Sequence, residues 1–330
     1  MFPSSPQQAD RDPWPPGRPA PPSGPAPQER RTAANAPGGA EGVETGPHDL
    51  GLVPVRRFLS LAIAGFAALL GIGLVFGAQT AGPGAARIPY AVVIFGVQLL
   101  FVLAWTMAMR PAALPVVACV GAATAAVADI AAVRPDVAAL APLGLVAAGG
   151  AVAGVLGQLF RSADRARATE SLGATLVIVV GVVALATLIV LTRLASGTQA
   201  IVVCLTATGV SLVTARILDT LAPVPRPAPQ VPRGALGVVV GAMLGTLAAA
   251  VLGSYVYPFT PTSGAVVGLV AAGAAGLADL GADYAEAGRQ MAGDAPTMWI
   301  ARHMQGPLGG FALAAPLAYL MSVLFLVPHS

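Results

Sequence analysis

Between Phe58 and the C-terminus the chain carries nine successive apolar runs of membrane-spanning length, near 58–78, 89–109, 112–133, 137–160, 172–192, 199–218, 235–256, 262–280 and 308–327. A bilayer core of about 30 Å is crossed by about 20 apolar residues in a helix. Inside hydrocarbon a helix satisfies its own backbone N–H and C=O groups, so runs of this length dictate an all-α, polytopic bundle. Composition agrees. The 330 residues are 56% hydrophobic and 10% charged, whereas a soluble domain carries about a quarter charged residues. A mean hydropathy of +0.76 excludes a soluble enzyme or a DNA-binding domain, and no nucleic-acid partner is expected. The third and fourth spans are separated only by Arg134-Pro135-Asp136.

The domain organisation is a tail over 1–55 and a transmembrane domain over 56–330. Residues 1–49 hold 12 of the 30 prolines and lack apolar periodicity. Segments such as Pro13-Trp14-Pro15-Pro16 favour extended, solvated chain and cannot bury a core. The tail reads as a disordered extension, with docking to a protein partner as the alternative. Because the first apolar run begins at Phe58, a secretory signal peptide is not expected.

All 18 basic residues are Arg, and their distribution sets the expected orientation. Arg56 and Arg57 before the first span favour a cytoplasmic N-terminus. Alternation then places Arg110, Arg161, Arg165, Arg167, Arg216, Arg226, Arg233, Arg289 and Arg302 on the same side and leaves Arg87, Arg134 and Arg193 on the other. This bias favours nine spans over eight in a cytoplasmic membrane. Gly150/Gly154, Gly241/Gly245 and Gly264/Gly268 are GxxxG pairs that allow close helix approach. Membrane lipids and further copies of the chain are the expected associates of such a bundle.

Ionisable residues in or beside spans are costly in hydrocarbon and are functional candidates. Asp279, Asp283 and Glu286 follow the eighth span at spacings of four and three, so a helix continuing past the membrane puts them on one face. Such acids need a cation among them. Either a divalent metal, for which Mg²⁺ suits oxygen ligands, or an Arg such as Arg289 or Arg216 would serve, and the ion pair is the preferred reading. Residues 281–307 read as the longest internal loop, carrying Asp294, Trp299, Arg302 and His303. His303 reads as interfacial. Asp129, near the outer end of the third span, is a candidate proton-relay group, but Arg134 is close enough in sequence to neutralise it, and pairing is the preferred reading. The two cysteines, Cys119 and Cys204, both lie in apolar spans, which leaves no disulfide framework.

From about 200 to 330 the order of features resembles the phosphatidate cytidylyltransferases (CDP-diacylglycerol synthases). Ala228-Pro229-Gln230-Val231 stands where that family has Ser-Pro-Lys-Lys, with Gly234 and Gly237 following. Leu277-Ala278-Asp279-Leu280 is similar to its Gly-Asp-Leu site, and Ala314-Ala315-Pro316-Leu317-Ala318 to the start of its closing helix. His303 lies near the family's His but lacks the following Gly-Gly, and Asp294 lies near its Lys-Asp acid. The resemblance implies a membrane enzyme joining CTP to phosphatidate with Mg²⁺. On that pattern Asp279, Asp283, Glu286, Asp294 and His303 are the catalytic candidates, with the first three as metal ligands. Arg226, Arg233, Arg289 and Arg302 would be the phosphate contacts.

The departures are severe. The chain has no Lys, and uncharged Gly306-Pro307-Leu308-Gly309 stands where the family has Asp-Arg-x-Asp. Phosphoryl chemistry depends on cations that neutralise developing charge, and losing one electrostatic group typically costs about 10²–10³ in rate. The expected function is therefore a non-catalytic relative acting by binding lipid or a partner. An active divergent cytidylyltransferase is the first alternative. A small-solute transporter is the second, although no internal repeat supports it.

Overall fold

The computed structural model describes residues 55–134, 138–159, 165–293 and 298–326. The Pro-rich tail, and Asp294 with it among the site candidates, lie outside the described residues. Nine long α-helices are present among the residues described: α1 (Arg57–Gln79), α2 (Ile88–Met109), α3 (Leu114–Val133), α4 (Ala141–Leu159), α5 (Arg165–Leu191), α6 (Gly197–Leu221), α7 (Ala235–Gly253), α8 (Pro261–Met291) and α9 (Trp299–Leu326). Each is long and apolar enough to cross a membrane, which makes the chain a multi-pass membrane protein.

Contacts at the helix ends establish the alternating path. At one end of the bundle Ala113 N, before α3, donates to Ser171 Oγ near the start of α5. Ser60 Oγ near the start of α1 donates to Arg216 O near the end of α6 at 2.8 Å. At the other end Arg193 Nη1, after α5, donates to Ala132 O near the end of α3 at 3.0 Å. Arg56, Arg216, Arg233, Arg289 and Arg302 all belong to the first of these ends, as the Arg distribution anticipates.

Two helices extend beyond the apolar runs, and the reasons are local. α8 begins with a capping box in which Thr260 and Ser263 satisfy each other's backbone N–H groups, with Pro261 at the first helical position. Its 31 residues amount to about 46 Å, well beyond the hydrocarbon thickness. The last turns therefore carry its polar residues out of the apolar layer. α9 starts at Trp299, nine residues before the predicted span, and runs through Pro307 and Pro316. Residues 281–291 and 299–307 of the predicted loop are thus helix. Pro removes one N–H and crowds the preceding turn, and tight packing lets a membrane helix absorb that.

α5 and α6 are the most enclosed helices, while α4 and α7 are peripheral. α7 buries only Gly237, Gly241, Gly245, Ala249 and Gly253 and exposes Leu236, Val239, Met243, Leu247 and Val251. The GxxxG expectation holds here. A Cβ on Gly241 would lie 2.6 Å from Ser211 O of α6, and one on Gly264 of α8 would lie 2.4 Å from Ala249 O of α7. Gly150 and Gly154 of α4 likewise press on Thr124 of α3 and Thr175 of α5. Missing side chains let these backbones meet, and packing substitutes for a hydrophobic driving force that lipid does not provide.

Candidate functional site

The last turns of α6 and α8 and the loop between α6 and α7 bring two arginines and three aspartates into one buried cluster. Arg216 and Asp219 are three residues apart on α6, and Asp279 and Asp283 four apart on α8, so each pair shares a helix face. Asp279 is fully buried. Its Oδ1 accepts from Arg216 Nη2, and its Oδ2 accepts from Arg216 Nε at 3.1 Å and from Arg233 Nη1 at 2.7 Å. Arg233, also fully buried, donates through Nε to Asp219 Oδ2 at 2.9 Å. The backbone N–H of Gly234 holds Asp219 Oδ1 at 2.9 Å. Asp283 Oδ2 stands 3.2 Å from Arg216 Nη2 and 3.4 Å from Arg233 Nη1. Bidentate guanidinium geometry suits this bridging, which ammonium groups could not reproduce.

Gly306 of α9 closes the cluster from the side. A Cβ there would fall 1.8 Å from Asp279 Oδ1, so the Arg216–Asp279 pair packs directly on the α9 backbone. The uncharged Gly306-Pro307 segment serves here as a wall.

A second ion group follows one turn later on the same face of α8. Glu286 accepts from Arg289 Nη2 at 2.7 Å, from Gln290 Nε2 at 2.8 Å and from Arg302 Nη1 of α9. Between the two groups opens a cavity of about 270 Å³ bounded by α1, α6, α8 and α9, whose lining includes Arg56, Ser60, Arg216, Asp283, Glu286, Arg302 and His303. Across the two groups and Arg56, five arginines face four carboxylates, a formal excess of one positive charge. The N–H groups at Arg302 Nε, Arg289 Nε and Arg233 Nη2 are buried and lack an acceptor among the described residues. Further along α1 and α6 lies an apolar groove of about 350 Å³ lined by Gly71, Ile72, Val75 and Phe76 on one side and Gly209, Val210 and Val213 on the other.

The structure thus unites Asp279, Asp283, Glu286, Arg233, Arg289, Arg302 and His303 at one end of the bundle. Arg226 sits half-buried in the loop after α6, and neither it, Arg233 nor Arg289 lines the cavity. Sequence reasoning overlooked Asp219, which lies in the last turn of α6, and Ser60 and Arg56 as parts of the cavity wall. The Arg216-x-x-Asp219 spacing was the available signal. Asp129 is a correction. Its Oδ1 accepts from Gln98 Nε2 of α2 at 2.9 Å, while Arg134 is exposed at the end of α3. Five residues put Arg134 about 140° around the helix from Asp129, on a different face.

The carboxylates do not present a vacant oxygen cage suited to Mg²⁺. Guanidinium groups stand between the acids, and both oxygens of Asp279, Asp219 and Glu286 already accept hydrogen bonds. Comparisons with protein-family models, curated proteins and solved structures yield no match to this chain.

Proposed function

We propose that the protein is a non-catalytic membrane protein that holds an anionic phospholipid, its headgroup in the cavity between α1, α6, α8 and α9 and an acyl chain along the α1–α6 groove. The observation that carries this reading is the engagement of Asp279. The acid that matches the Gly-Asp-Leu site of the phosphatidate cytidylyltransferases is held by Arg216 and Arg233, and is thereby occupied structurally. The cavity beside it is lined by the guanidinium-bearing residues Arg56 and Arg302, which favour a phosphate-bearing ligand. On this reading the Arg-rich end faces the cytoplasm, where anionic lipid is concentrated.

The test uses the purified full chain in bilayers containing phosphatidate and phosphatidylcholine. Retention of phosphatidate over phosphatidylcholine, weakened in Arg302→Gln and Arg56→Gln, is the expected result, with no CDP-diacylglycerol formed on adding CTP and Mg²⁺. Turnover that Asp279→Asn abolishes would replace this reading with the active cytidylyltransferase. Equal retention of both lipids would remove the lipid reading altogether.

A further inference from the structure

We propose that Gln98 and Asp129 form an intramembrane proton-binding site, in which one added proton on Asp129 Oδ2 is shared with Gln98 Oε1 and locks α3 against α2 and α5. Gln98 is fully enclosed near the middle of α2, and Asp129 is almost so on α3. The Gln98 amide uses both of its N–H groups, one toward Asp129 Oδ1 and one toward Val182 O of α5, each at 2.9 Å. That arrangement fixes which end of the amide is nitrogen, since both neighbours are acceptors. It leaves two oxygens, Gln98 Oε1 and Asp129 Oδ2, buried without a hydrogen-bond partner.

An unpaired carboxylate and an unpaired carbonyl oxygen are both expensive inside a bundle. One hydrogen satisfies both. A proton taken from solvent onto Oδ2 makes the carboxyl neutral, gives it a donor, and closes a two-bond acid–amide pair with Gln98. No other group among the described residues supplies the missing positive charge. Among the described residues Asp129 has no ion pair, Arg134 is exposed beyond it on the same helix, and Arg193 after α5 gives Nη1 to Ala132 O. α2 carries Arg87 and Arg110 only at its flanks, α4 carries no charged residue within its span, and the charges of α5 (Arg165, Arg167 and Glu170) sit at its opposite end. This site is separate from the Arg-rich cavity and does not depend on the function proposed there.

The experiment is infrared difference spectroscopy on the full chain in lipid nanodiscs at neutral pH, wild type minus Asp129→Asn. A C=O band of a neutral carboxyl group is expected, slow to respond to D₂O and shifted to the frequency of a free carbonyl in Gln98→Leu. Asp129→Asn, whose amide can donate where the acid did, is expected to fold and to melt with the wild type. A spectrum without the carboxyl band overturns the proposal. So does failure of Asp129→Asn to fold, or a wild-type melting temperature that rises with sodium or potassium concentration, because a metal ion would then be the compensating charge.

Discussion

Arg233 donates to Asp279 across 2.7 Å although 46 residues separate them and neither side chain touches solvent. The contact ties the loop after α6 to the far end of α8, and the same guanidinium reaches back to Asp219 on α6. One side chain thereby fixes the mutual position of three elements that bound the candidate site.

Removing one member of such a network leaves its partners charged and dry. Arg233→Met is therefore expected to destabilise the protein by about 3–5 kcal/mol, and Asp279→Asn to act in the same direction. The pair should be strongly coupled, so that the double variant costs less than the sum of the singles. Thermal unfolding of the four proteins in one detergent, analysed as a double-mutant cycle, checks this. Additive losses would mean that the two groups act independently.

The spans were legible because length and apolarity in a membrane leave helix as the solution. The α8 extension was only half legible, since Asp279, Asp283 and Glu286 keep helical spacing past the apolar run while 281–307 as a whole reads as a loop. Less legible was α9. Its first turns mix Arg302, His303 and Gln305 with Pro307, so hydropathy falls while the helix continues, held by contact with Asp279 and Glu286 of α8. Sequence proximity misassigned Asp129 to Arg134, because its partner Gln98 is uncharged and 31 residues away. The cluster itself was half visible. Helical spacing pairs Arg216 with Asp219 and Asp279 with Asp283, but only tertiary packing inserts Arg233 between them.

Gly306 offers a direct test of how closely α9 supports the cluster. A methyl group there collides with a short, doubly anchored carboxylate that cannot swing away without breaking its bonds to Arg216 and Arg233. Gly306→Ala should cost about 1–3 kcal/mol and weaken lipid retention in the adjoining cavity. Gly309→Ala meets only the tip of the Trp105 ring at 3.2 Å and should be milder. Melting temperatures and phosphatidate retention, measured side by side, separate the two; equal effects would count against the wall assigned to Gly306.

Glu286 lines the cavity and pairs there with Arg302, and outside the lining with Arg289. Replacing it with Gln keeps the shape and removes the negative charge, so an anionic headgroup meets a less-compensated Arg302 in the cavity wall. Glu286→Gln is expected to tighten phosphatidate binding by about 1 kcal/mol, or about fivefold, at low salt, and the gain should shrink as salt screens it. Arg302→Gln should do the reverse. Vesicle titrations at two salt concentrations measure both, and unchanged affinity in Glu286→Gln would argue that the cavity does not meet phosphate.

Glycine substitutions should divide sharply by the surface they face. At Gly241 an added Cβ would stand 2.6 Å from the backbone oxygen of Ser211. That oxygen belongs to α6 and cannot rotate aside, so α7 must move outward along a seam that also includes Gly237 and Gly245. Gly241→Ala should lose about 1–3 kcal/mol. At Gly65, exposed on α1, nothing lies within 4 Å of the added atom. Gly65→Ala removes backbone freedom from the unfolded chain and should be neutral or stabilising by up to about 1 kcal/mol. Parallel thermal melts of the two variants provide the comparison. A Gly241→Ala protein as stable as Gly65→Ala would mean that α7 does not rest backbone to backbone on α6.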